Sequence, residues 1–336
     1  MKHIYHYSHP LKLESGDVLP HVDIAYHTYG KLNKAADNTI WVCHALTASS
    51  EVAEWWPHTV EKNRFLDPEC HFIICANILG SPYGTTSPLH LNPATSTPWY
   101  GSFPRFTIRD IVKLHRILAD ALGIRSIHCL IGSSVGGFQA IEWAVEEPER
   151  IRRLALIATA AKASPWTIAM DETQRMAIEA DSTFGLPYEE AGKKGLAAAR
   201  AIGLLSYRGA GGYNLTQQDE EECLYEHRAS SYQRYQGEKL KNRYNAYSYW
   251  SILDAFDSHD VGRERGGVEK ALKRITAETI VVGISTDMIF TPQEMRELQY
   301  RIARSMYAEI SSAFGHDGFL VEHEQLNDIL FPFINA

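Results

Sequence analysis

A serine, a carboxylate and a histidine, the residue types that together attack carbonyl carbons, occur in a suggestive order along this chain. Ser134 stands in Gly-Ser-Ser-Val-Gly, residues 132–136, which fits the pattern G-x-S-x-G. The apolar run SIHCLI precedes the pattern and the helical pattern FQAIEWAVEEP follows it. This strand–turn–helix order is typical of a nucleophile elbow, which presents a serine hydroxyl at the top of a sheet. A glycine-rich turn without chemistry is the alternative interpretation of the motif alone.

The base and the acid that such a serine needs are found downstream. Asp287 follows the apolar run ETIVVGIS, and His316 lies in SSAFGHDGFL after the next apolar run. A serine hydroxyl is a poor nucleophile without a base, and a carboxylate fixes the tautomer of that base. Alone, Asp287 could be a turn or cap residue and His316 a surface residue. Three matches in the order serine, acid, histidine predict a catalytic triad.

A tetrahedral intermediate also needs two N–H donors for its oxyanion. One is expected from the backbone of Val135, the residue after the nucleophile. The other is expected from the turn after the strand IWVCH, and we assign it to the backbone N–H of Leu46 in HALTASS. This second assignment depends on position along the chain.

The elements around these residues indicate a doubly wound α/β sheet. The pattern 108–123 has helical spacing, with Asp110 near its start and Gly123 after it, and similar patterns separate several short apolar runs. Such runs are typical of strands buried on both faces. With the elbow, they predict an α/β-hydrolase fold with a mostly parallel central sheet and helices on both faces. The predicted strands are Thr39–His44, Phe72–Ile78, Ile127–Ile131, Leu154–Ile157, Thr279–Ile284 and Ala308–Ser311, preceded by β-structure within the first 35 residues.

The strand pattern is interrupted between residues 164 and 267, which have helical character and include a tyrosine-rich stretch. The strands after residue 278 must rejoin the sheet to supply the acid and the histidine. We therefore expect a core of residues 1–163 and 268–336, with residues 164–267 inserted as a helical lid.

Charge and composition indicate which partners and which cellular compartment to expect. The net charge is −8 and no long basic block occurs, which argues against a nucleic acid or an anionic membrane. No apolar run is long enough to span a membrane, and the N-terminus lacks the apolar core of a signal peptide. Five cysteines without C-x-x-C spacing are expected to be small buried residues in a reducing cytosol, so we expect a cytoplasmic protein.

Beyond the triad, the sequence resembles the homoserine O-acetyltransferase family along nearly its whole length. The motifs that carry the resemblance, in order, are LESGDVLPHVDIAYHTYGKLN, DNTIWVCHALT, ILGSPYGTTSP, NPATSTPWYGSFPRFTIRD, IGSSVGGFQ, ARAIGLLSYR, YQRYQGEKL and GHDGFLVE. The resemblance implies ping-pong acyl transfer from acetyl-CoA to the hydroxyl of L-homoserine through acyl-Ser134, in methionine biosynthesis. It implies no metal, no prosthetic group and a homodimer formed through the lid.

The resemblance also implies substrate-binding roles. Arg200 would bind the homoserine carboxylate, Tyr207 would help to hold the substrate, and Asp317 would pair with its ammonium. Without the resemblance, these residues would be interpreted as a solvated lid charge, a core aromatic and a surface loop residue. The coenzyme A phosphates have candidate partners in Lys239, Lys241 and Arg243, which could equally be solvated.

The sequence departs from the family pattern at Val135, where methionine is usual, at Ala48, and in the stretch 244–249. These positions neighbour the expected substrate channel, so three alternatives stay open. The acyl donor could be succinyl-CoA, the acceptor could be serine or another alcohol, or water could be the acceptor in an esterase or thioesterase. A binding protein without catalysis would be expected to lack a member of the triad.

Overall fold

The computed structural model describes residues 1–336 and is built around one eight-stranded sheet. The strands are β1 Lys2–Tyr7, β2 Val22–Tyr29, β3 Thr39–Cys43, β4 Phe72–Ala76, β5 Ile127–Ser133, β6 Ile151–Ile157, β7 Glu278–Ile284 and β8 Ser305–Ile310. Their order in the sheet is β1-β2-β4-β3-β5-β6-β7-β8. Strand β2 pairs antiparallel with β1 and with β4, while all other pairs are parallel. The mostly parallel sheet confirms the predicted fold class.

Eleven helices and two short hairpins surround this sheet. The hairpins pair Leu11–Lys12 with Val18–Leu19 and Leu91–Asn92 with Thr97–Pro98. The helices are α1 Val52–Trp55, α2 Ile108–Ala121, α3 Val135–Glu146, α4 Pro165–Glu179, α5 Lys193–Thr216, α6 Arg228–Lys241, α7 Ala246–Asp257, α8 Val268–Leu272, α9 Pro292–Arg301, α10 Gly318–Val321 and α11 His323–Asn335.

Alternation of side chains along the strands divides the core into two clusters, one on each face of the sheet. In β3, Trp41 and Cys43 belong to a cluster of 55 buried residues, whereas Ile40 and Val42 belong to a second cluster of 22. Successive side chains of a strand point to opposite faces, so a continuous apolar run fills both clusters. This explains why the central strands are uninterrupted apolar runs in the sequence.

The start of α2 shows how local sequence fixes a helix boundary. Thr107 accepts a hydrogen bond from the backbone N–H of Asp110, and the Asp110 side chain accepts one from the backbone N–H of Thr107. This reciprocal capping box satisfies two N–H groups at the helix start. The chain leaves the helix at Gly123, whose φ of 69° suits glycine. The predicted start is therefore right, and the helix ends two residues before the predicted limit.

Helices α4, α5, α6 and α7 lie between β6 and β7 and pack on one another above the carboxyl ends of the strands. Helix α5 bends sharply at Gly209, whose φ of 65° and ψ of 156° are not helical. Residues 181–192 and 217–227 connect these helices without helical structure. The helical insertion is therefore four helices of 12 to 24 residues, joined by non-helical connections and folded over the site.

Several details differ from the sequence-based expectations, and β6 for example begins at Ile151, three residues before its predicted start at Leu154. Cys43, Cys75 and Cys129 are buried and free, but Cys70 and Cys223 are exposed, so the expectation of five buried cysteines is wrong for these two. The last strand begins at Ser305, three residues before its predicted start. It is the edge strand of the sheet, and its first residues are only partly buried, so they do not extend an apolar run.

Candidate active site

Ser134 occupies a strained turn between β5 and α3. Its φ of 56° and ψ of −128° lie outside the regions that non-glycine residues normally adopt. A Cβ at Gly132 would lie 2.2 Å from the carbonyl oxygen of Gly136, and a Cβ at Gly136 would lie 2.1 Å from that of Cys43. The turn therefore needs glycine on both sides of the serine, as expected for a nucleophile elbow.

His316 connects the serine to an acid. Its Nε2 lies 2.8 Å from Oγ of Ser134, and its Nδ1 lies 2.7 Å from Oδ2 of Asp287. All three residues are at most 8% exposed. The structure thus brings together the three residues that the sequence singled out. The arrangement lets the imidazole accept the serine proton while the carboxylate holds the other ring nitrogen.

Two backbone amides fix the orientation of the acid. The N–H groups of Ile289 and Phe290 donate to Oδ1 of Asp287 at 2.8 and 3.1 Å. This leaves Oδ2 for the imidazole. The turn after β7 therefore fixes which carboxylate oxygen faces His316.

The environment of His316 favours its protonated form. Burial by itself lowers the pKa of His316, but the hydrogen-bonded Asp287 carboxylate and the nearby Asp317 carboxylate outweigh it, so the pKa is raised above 6.5. A base with a raised pKa holds the proton that it takes from the serine more firmly. The same charges stabilise the imidazolium that forms during attack.

The two residues expected to supply the oxyanion donors both lie beside the serine. Leu46 and Val135 line the cavity beside Ser134, and neither backbone N–H donates to an acceptor in the protein. Nε2 of His44 accepts from the backbone N–H of Ile78 at 3.2 Å, and its Nδ1 lies 2.8 Å from the carbonyl oxygen of Ala45. Burial lowers the pKa of His44 to about 4, so the ring is neutral and holds the turn before Leu46 by hydrogen bonds alone.

The serine faces a small cavity of about 100 Å³, and residues of the lid helices α4, α5 and α7 form part of its wall. Apolar residues form 11 of its 19 lining residues. Of the residues expected from the sequence, it is lined by Leu46, Ser134, Val135, Arg200, Tyr207, His316 and Asp317. Asp287 lies behind His316 and does not reach the cavity.

Arg200 brings a positive charge to this cavity and forms no ion pair within the protein. Its guanidinium carbon lies 5.4 Å from the centre of the Tyr207 ring, a cation–π distance. Burial raises the pKa of Tyr207 to about 12, so its hydroxyl stays protonated and can donate a hydrogen bond. Together they offer donors to an anionic group in the cavity.

Asp317 brings the opposite charge, and it has a partner that the sequence analysis missed. Nε of Arg208 donates to Oδ2 of Asp317 at 2.9 Å. The contact forms where α5 bends at Gly209, against Gly315, whose added Cβ would lie 2.9 Å from the carbonyl carbon of Arg208. Arg208 directly follows Tyr207 in ARAIGLLSYR, so its place in that motif was the available signal.

A row of lid residues was also missed. Thr167, Met170, Asp171 and Gln174 line the cavity from one face of α4. Their spacing of three and four residues puts them on the same side of a helix. This spacing was visible in the sequence, but only the fold shows that this side faces the serine.

The basic residues considered for coenzyme A phosphates lie outside the cavity lining. Lys239 is exposed, and Lys241 pairs with Glu238 at 2.5 Å. Arg243 donates to the carbonyl oxygen of Thr47 at 2.6 Å and to the hydroxyl of Tyr83. Arg243 thus supports the loop that carries Leu46, while the two lysines remain candidates only.

Metal-binding residue types come together at one place, on the surface between α5 and α6. Atoms of Asp219, Cys223 and His227 lie within 4.8 Å of one another there. Nδ1 of His227 is 2.8 Å from Asp219 and 3.3 Å from Cys223. None of these three residues lines the cavity. No helix is both long and apolar enough to cross a membrane.

Comparisons with known proteins agree with this geometry. A family model described as the alpha/beta hydrolase fold matches residues 38–322. The homoserine O-acetyltransferase of Cyclobacterium marinum is 47% identical over 330 residues, which cover 98% of this chain and 94% of that protein.

Two solved structures have the same fold at low sequence identity. A homoserine O-acetyltransferase from Bacillus anthracis superposes with a TM-score of 0.93 at 22% identity, covering 100% of this chain and 98% of that one. An acetylester hydrolase from Corynebacterium glutamicum gives a TM-score of 0.89 at 24% identity, covering 100% and 96%. At these identities the likeness shows the fold alone, since one fold serves both a transferase and a hydrolase.

Proposed function

Because the chain belongs to the homoserine O-acetyltransferase family, we propose that it transfers an acetyl group from acetyl-CoA to the side-chain hydroxyl of L-homoserine. The observation that carries this proposal is the pair of opposite charges beside the triad. Arg200 has no counter-ion in the protein, and Asp317 lines the same cavity. These charges match the carboxylate and the ammonium of an amino acid.

The first half of the reaction acetylates Ser134. Oγ of Ser134 attacks the thioester carbonyl while His316 takes its proton, and the N–H groups of Leu46 and Val135 bind the oxyanion. The carbon–sulfur bond then breaks, and the proton on His316 passes to the departing thiolate. Acetyl-Ser134 and free coenzyme A result.

The second half of the reaction transfers the acetyl group from Ser134 to homoserine. The homoserine hydroxyl gives its proton to His316 and attacks the acetyl carbonyl, the same amides bind the oxyanion, and the bond to Ser134 breaks as His316 returns the proton to Oγ. Side chains and amides of the chain handle every proton and charge in this ping-pong cycle, so the proposal needs no metal or prosthetic group. The product, an activated homoserine ester, would serve methionine biosynthesis in the cytoplasm.

The acceptor is held by its two charges. Arg200 would bind the homoserine carboxylate in a bidentate manner, with Tyr207 donating from beside it. Asp317, whose Oδ2 is occupied by Arg208, would use Oδ1 for the ammonium. The contact with Arg208 orients this carboxylate in the absence of substrate.

Hydrolysis is the second candidate function, because an acetylester hydrolase shares the fold. Water would then take the place of homoserine on acetyl-Ser134. Against this, the triad is buried, and attack by water does not require the charge of Arg200. Transfer is the better proposal because it gives that unpaired charge a function.

The lid also supports the proposal of a homodimer. Large apolar side chains of this region are exposed, among them Leu205, Leu215, Leu224, Tyr225 and Tyr235, at 57% to 78%. Apolar residues gathered in one region indicate an interface. A second copy of the chain would cover them, and sedimentation of the purified protein would test this.

The activity is tested by mixing purified protein with acetyl-CoA and homoserine and following the release of free thiol. We expect release that depends on homoserine and yields O-acetylhomoserine. Thiol release no faster than with enzyme and acetyl-CoA alone would contradict transfer. Succinyl-CoA as donor, and serine and water as acceptors, complete the comparison by kcat/KM.

A further inference from the structure

Helix α4 puts a carboxyl group into the wall of the cavity that the triad does not use. Asp171 lines the cavity together with Arg200 and Tyr207, and is 8% exposed. A buried carboxylate is costly unless it is paired with a cation or hydrogen bonded. The state of this group therefore affects the charge that a substrate meets.

The neighbours of Asp171 are mainly acceptors. Its carboxyl group contacts the carboxyl group of Asp257 on α7, and Nε2 of Gln174 donates to its Oδ1 at 3.3 Å. Arg175 is the nearby cation, but its Nη2 binds Oδ2 of Asp257 at 2.6 Å and also Glu172. Asp257 thus forms an ion pair with Arg175, whereas Asp171 forms no ion pair.

One carboxylate oxygen beside Asp171 lacks a hydrogen-bond donor. Oδ1 of Asp257 is buried and accepts no hydrogen bond from any fixed N–H or O–H of the protein. A proton on Asp171 would supply that donor, because two carboxyl groups in contact share one proton. Burial and the Asp257 charge together raise the pKa of Asp171 well above its ordinary value, although Arg175 opposes this.

The charges of Asp171 and Arg200 both act on Tyr207. The Arg200 guanidinium faces the Tyr207 ring, and the charges of Arg200 and Asp171 act in opposite directions on the Tyr207 hydroxyl. Tyr249, the other titratable neighbour on α7, donates to Oε1 of Gln174 at 2.6 Å. An ionised Asp171 would therefore offset the positive charge of Arg200 in a site of low polarity.

We propose that Asp171 determines the specificity of the acceptor site as a neutral carboxylic acid in the cavity wall. Its proton is donated in a hydrogen bond to Asp257, so Arg200 stays free to bind the carboxylate of the acceptor. This rests on the proposed function. Asp171 acts through Arg200 and is a positioning residue. With a neutral Asp171 the cavity favours an amino acid, whereas an ionised one would repel the acceptor carboxylate and favour an alcohol that carries only an amine.

The kinetic test measures the KM for homoserine against pH, with saturating acetyl-CoA. Asp171 is neutral below its raised pKa and ionises above it, so the KM of the wild-type protein should rise with pH, by about tenfold once the carboxylate forms. Asp171→Asn has the same shape and cannot ionise, so its KM should lack this rise. Deprotonation of the homoserine ammonium affects both proteins equally, so the difference between the profiles isolates Asp171.

Asp257→Asn is the second variant. It removes the negative neighbour and makes ionisation of Asp171 easier, so the rise in KM should move to lower pH. Superimposable profiles for the wild type and Asp171→Asn would overturn the proposal, as would a KM that falls with pH in the wild type alone.

Infrared spectroscopy of the resting protein tests the protonation state without turnover. A carbonyl stretch of a neutral carboxylic acid should be present in the wild type near neutral pH and absent from Asp171→Asn. Absence of the band from the wild type overturns the proposal even if the variant does not fold. If acetyl transfer to homoserine is not observed at all, the proposed function fails, and the infrared band alone decides the state of Asp171.

Discussion

Nε2 of His316 lies 2.8 Å from Oγ of Ser134, although the two residues are 182 positions apart in the chain. The two residues follow β8 and β5, which β6 and β7 separate in the sheet. Their contact depends on the parallel sheet, which brings the carboxyl ends of these strands to one edge. This distance is the structural basis of the proposed nucleophile and of the predictions below.

Replacing Ser134 by alanine should abolish turnover. The oxygen that attacks the thioester is lost, and losses of about 10⁴-fold or more are expected for a triad nucleophile. The neighbouring Ser133 offers a matched control, because its hydroxyl is buried without a hydrogen-bond partner. Ser133→Ala should keep kcat within about threefold, whereas equal losses in the two variants would indicate damage to the turn.

Asp287→Asn should lower kcat by about 10⁴-fold while the protein remains folded. The asparagine oxygen can keep the two amide hydrogen bonds from Ile289 and Phe290, so its NH₂ group would face Nδ1 of His316. The imidazole would then adopt the wrong tautomer and could not accept the serine proton. Steady-state kinetics beside a thermal unfolding curve test this, and a variant with near-normal kcat would speak against the assigned role.

Arg200→Ala should raise the KM for homoserine by about 30- to 100-fold, the usual loss for a charge-assisted contact. Formation of acetyl-Ser134 from acetyl-CoA should change much less, because the donor does not need this charge. Arg200→Lys should recover only part of the loss, since an ammonium cannot bind bidentately. Arg274→Ala, which removes an exposed arginine of the core, is the control. A homoserine KM unaffected in Arg200→Ala would refute the acceptor site.

Acylation should become faster as pH rises through the pKa of His316, because only the neutral imidazole accepts the serine proton. This pKa lies above 6.5, and Asp317 is one of the charges that raise it. The protonated ring of His316 also raises the free energy of unfolding at low pH, and this stabilisation is lost as pH rises through the raised pKa of His316. Asp317→Asn should shift the activity profile to lower pH by less than about one unit.

The hydrolysis of p-nitrophenyl acetate measures that shift without homoserine, so loss of the acceptor site does not interfere. Asp328→Asn, in the exposed part of α11, should leave the profile in place. A shift to higher pH in Asp317→Asn would contradict the assigned electrostatics.

Gly136→Ala should destabilise the protein by about 3 kcal/mol or more, since an added Cβ would lie 2.1 Å from the carbonyl oxygen of Cys43. The backbone of α3 would have to move away from β3, and the turn at Ser134 with it. Gly101→Ala is the control, because its Cβ would lie 3.7 Å from the Tyr247 ring, an ordinary contact. Guanidinium unfolding of both variants gives the difference, and equal stability would refute the tight packing of the elbow.

The triad could be predicted from the sequence because its members follow strands of a parallel sheet. In such a sheet the carboxyl ends meet at one edge, so an elbow serine, an acid after β7 and a histidine after β8 have little choice of position. Most strands could be placed for the same reason, since central strands are continuous apolar runs. The prediction missed the first residues of β6, where Arg152 and Arg153 interrupt the apolar run, and those of the edge strand β8, which are not fully buried.

The lid could not be predicted in the same detail. Helical spacing shows that α4 has a face of Thr167, Asp171 and Gln174, but only tertiary packing decides what that face meets. The contact between Arg208 and Asp317 joins residues 109 positions apart through a bend at Gly209. No periodic pattern in the sequence encodes such a bend.

Mass spectrometry of the protein mixed with acetyl-CoA alone detects the proposed acyl-serine intermediate itself. We expect one acetyl group per chain, on the peptide that contains Ser134, and its loss with formation of O-acetylhomoserine when homoserine is added. No adduct with acetyl-CoA alone, or an equally labelled Ser134→Ala variant, would contradict an acyl-serine intermediate.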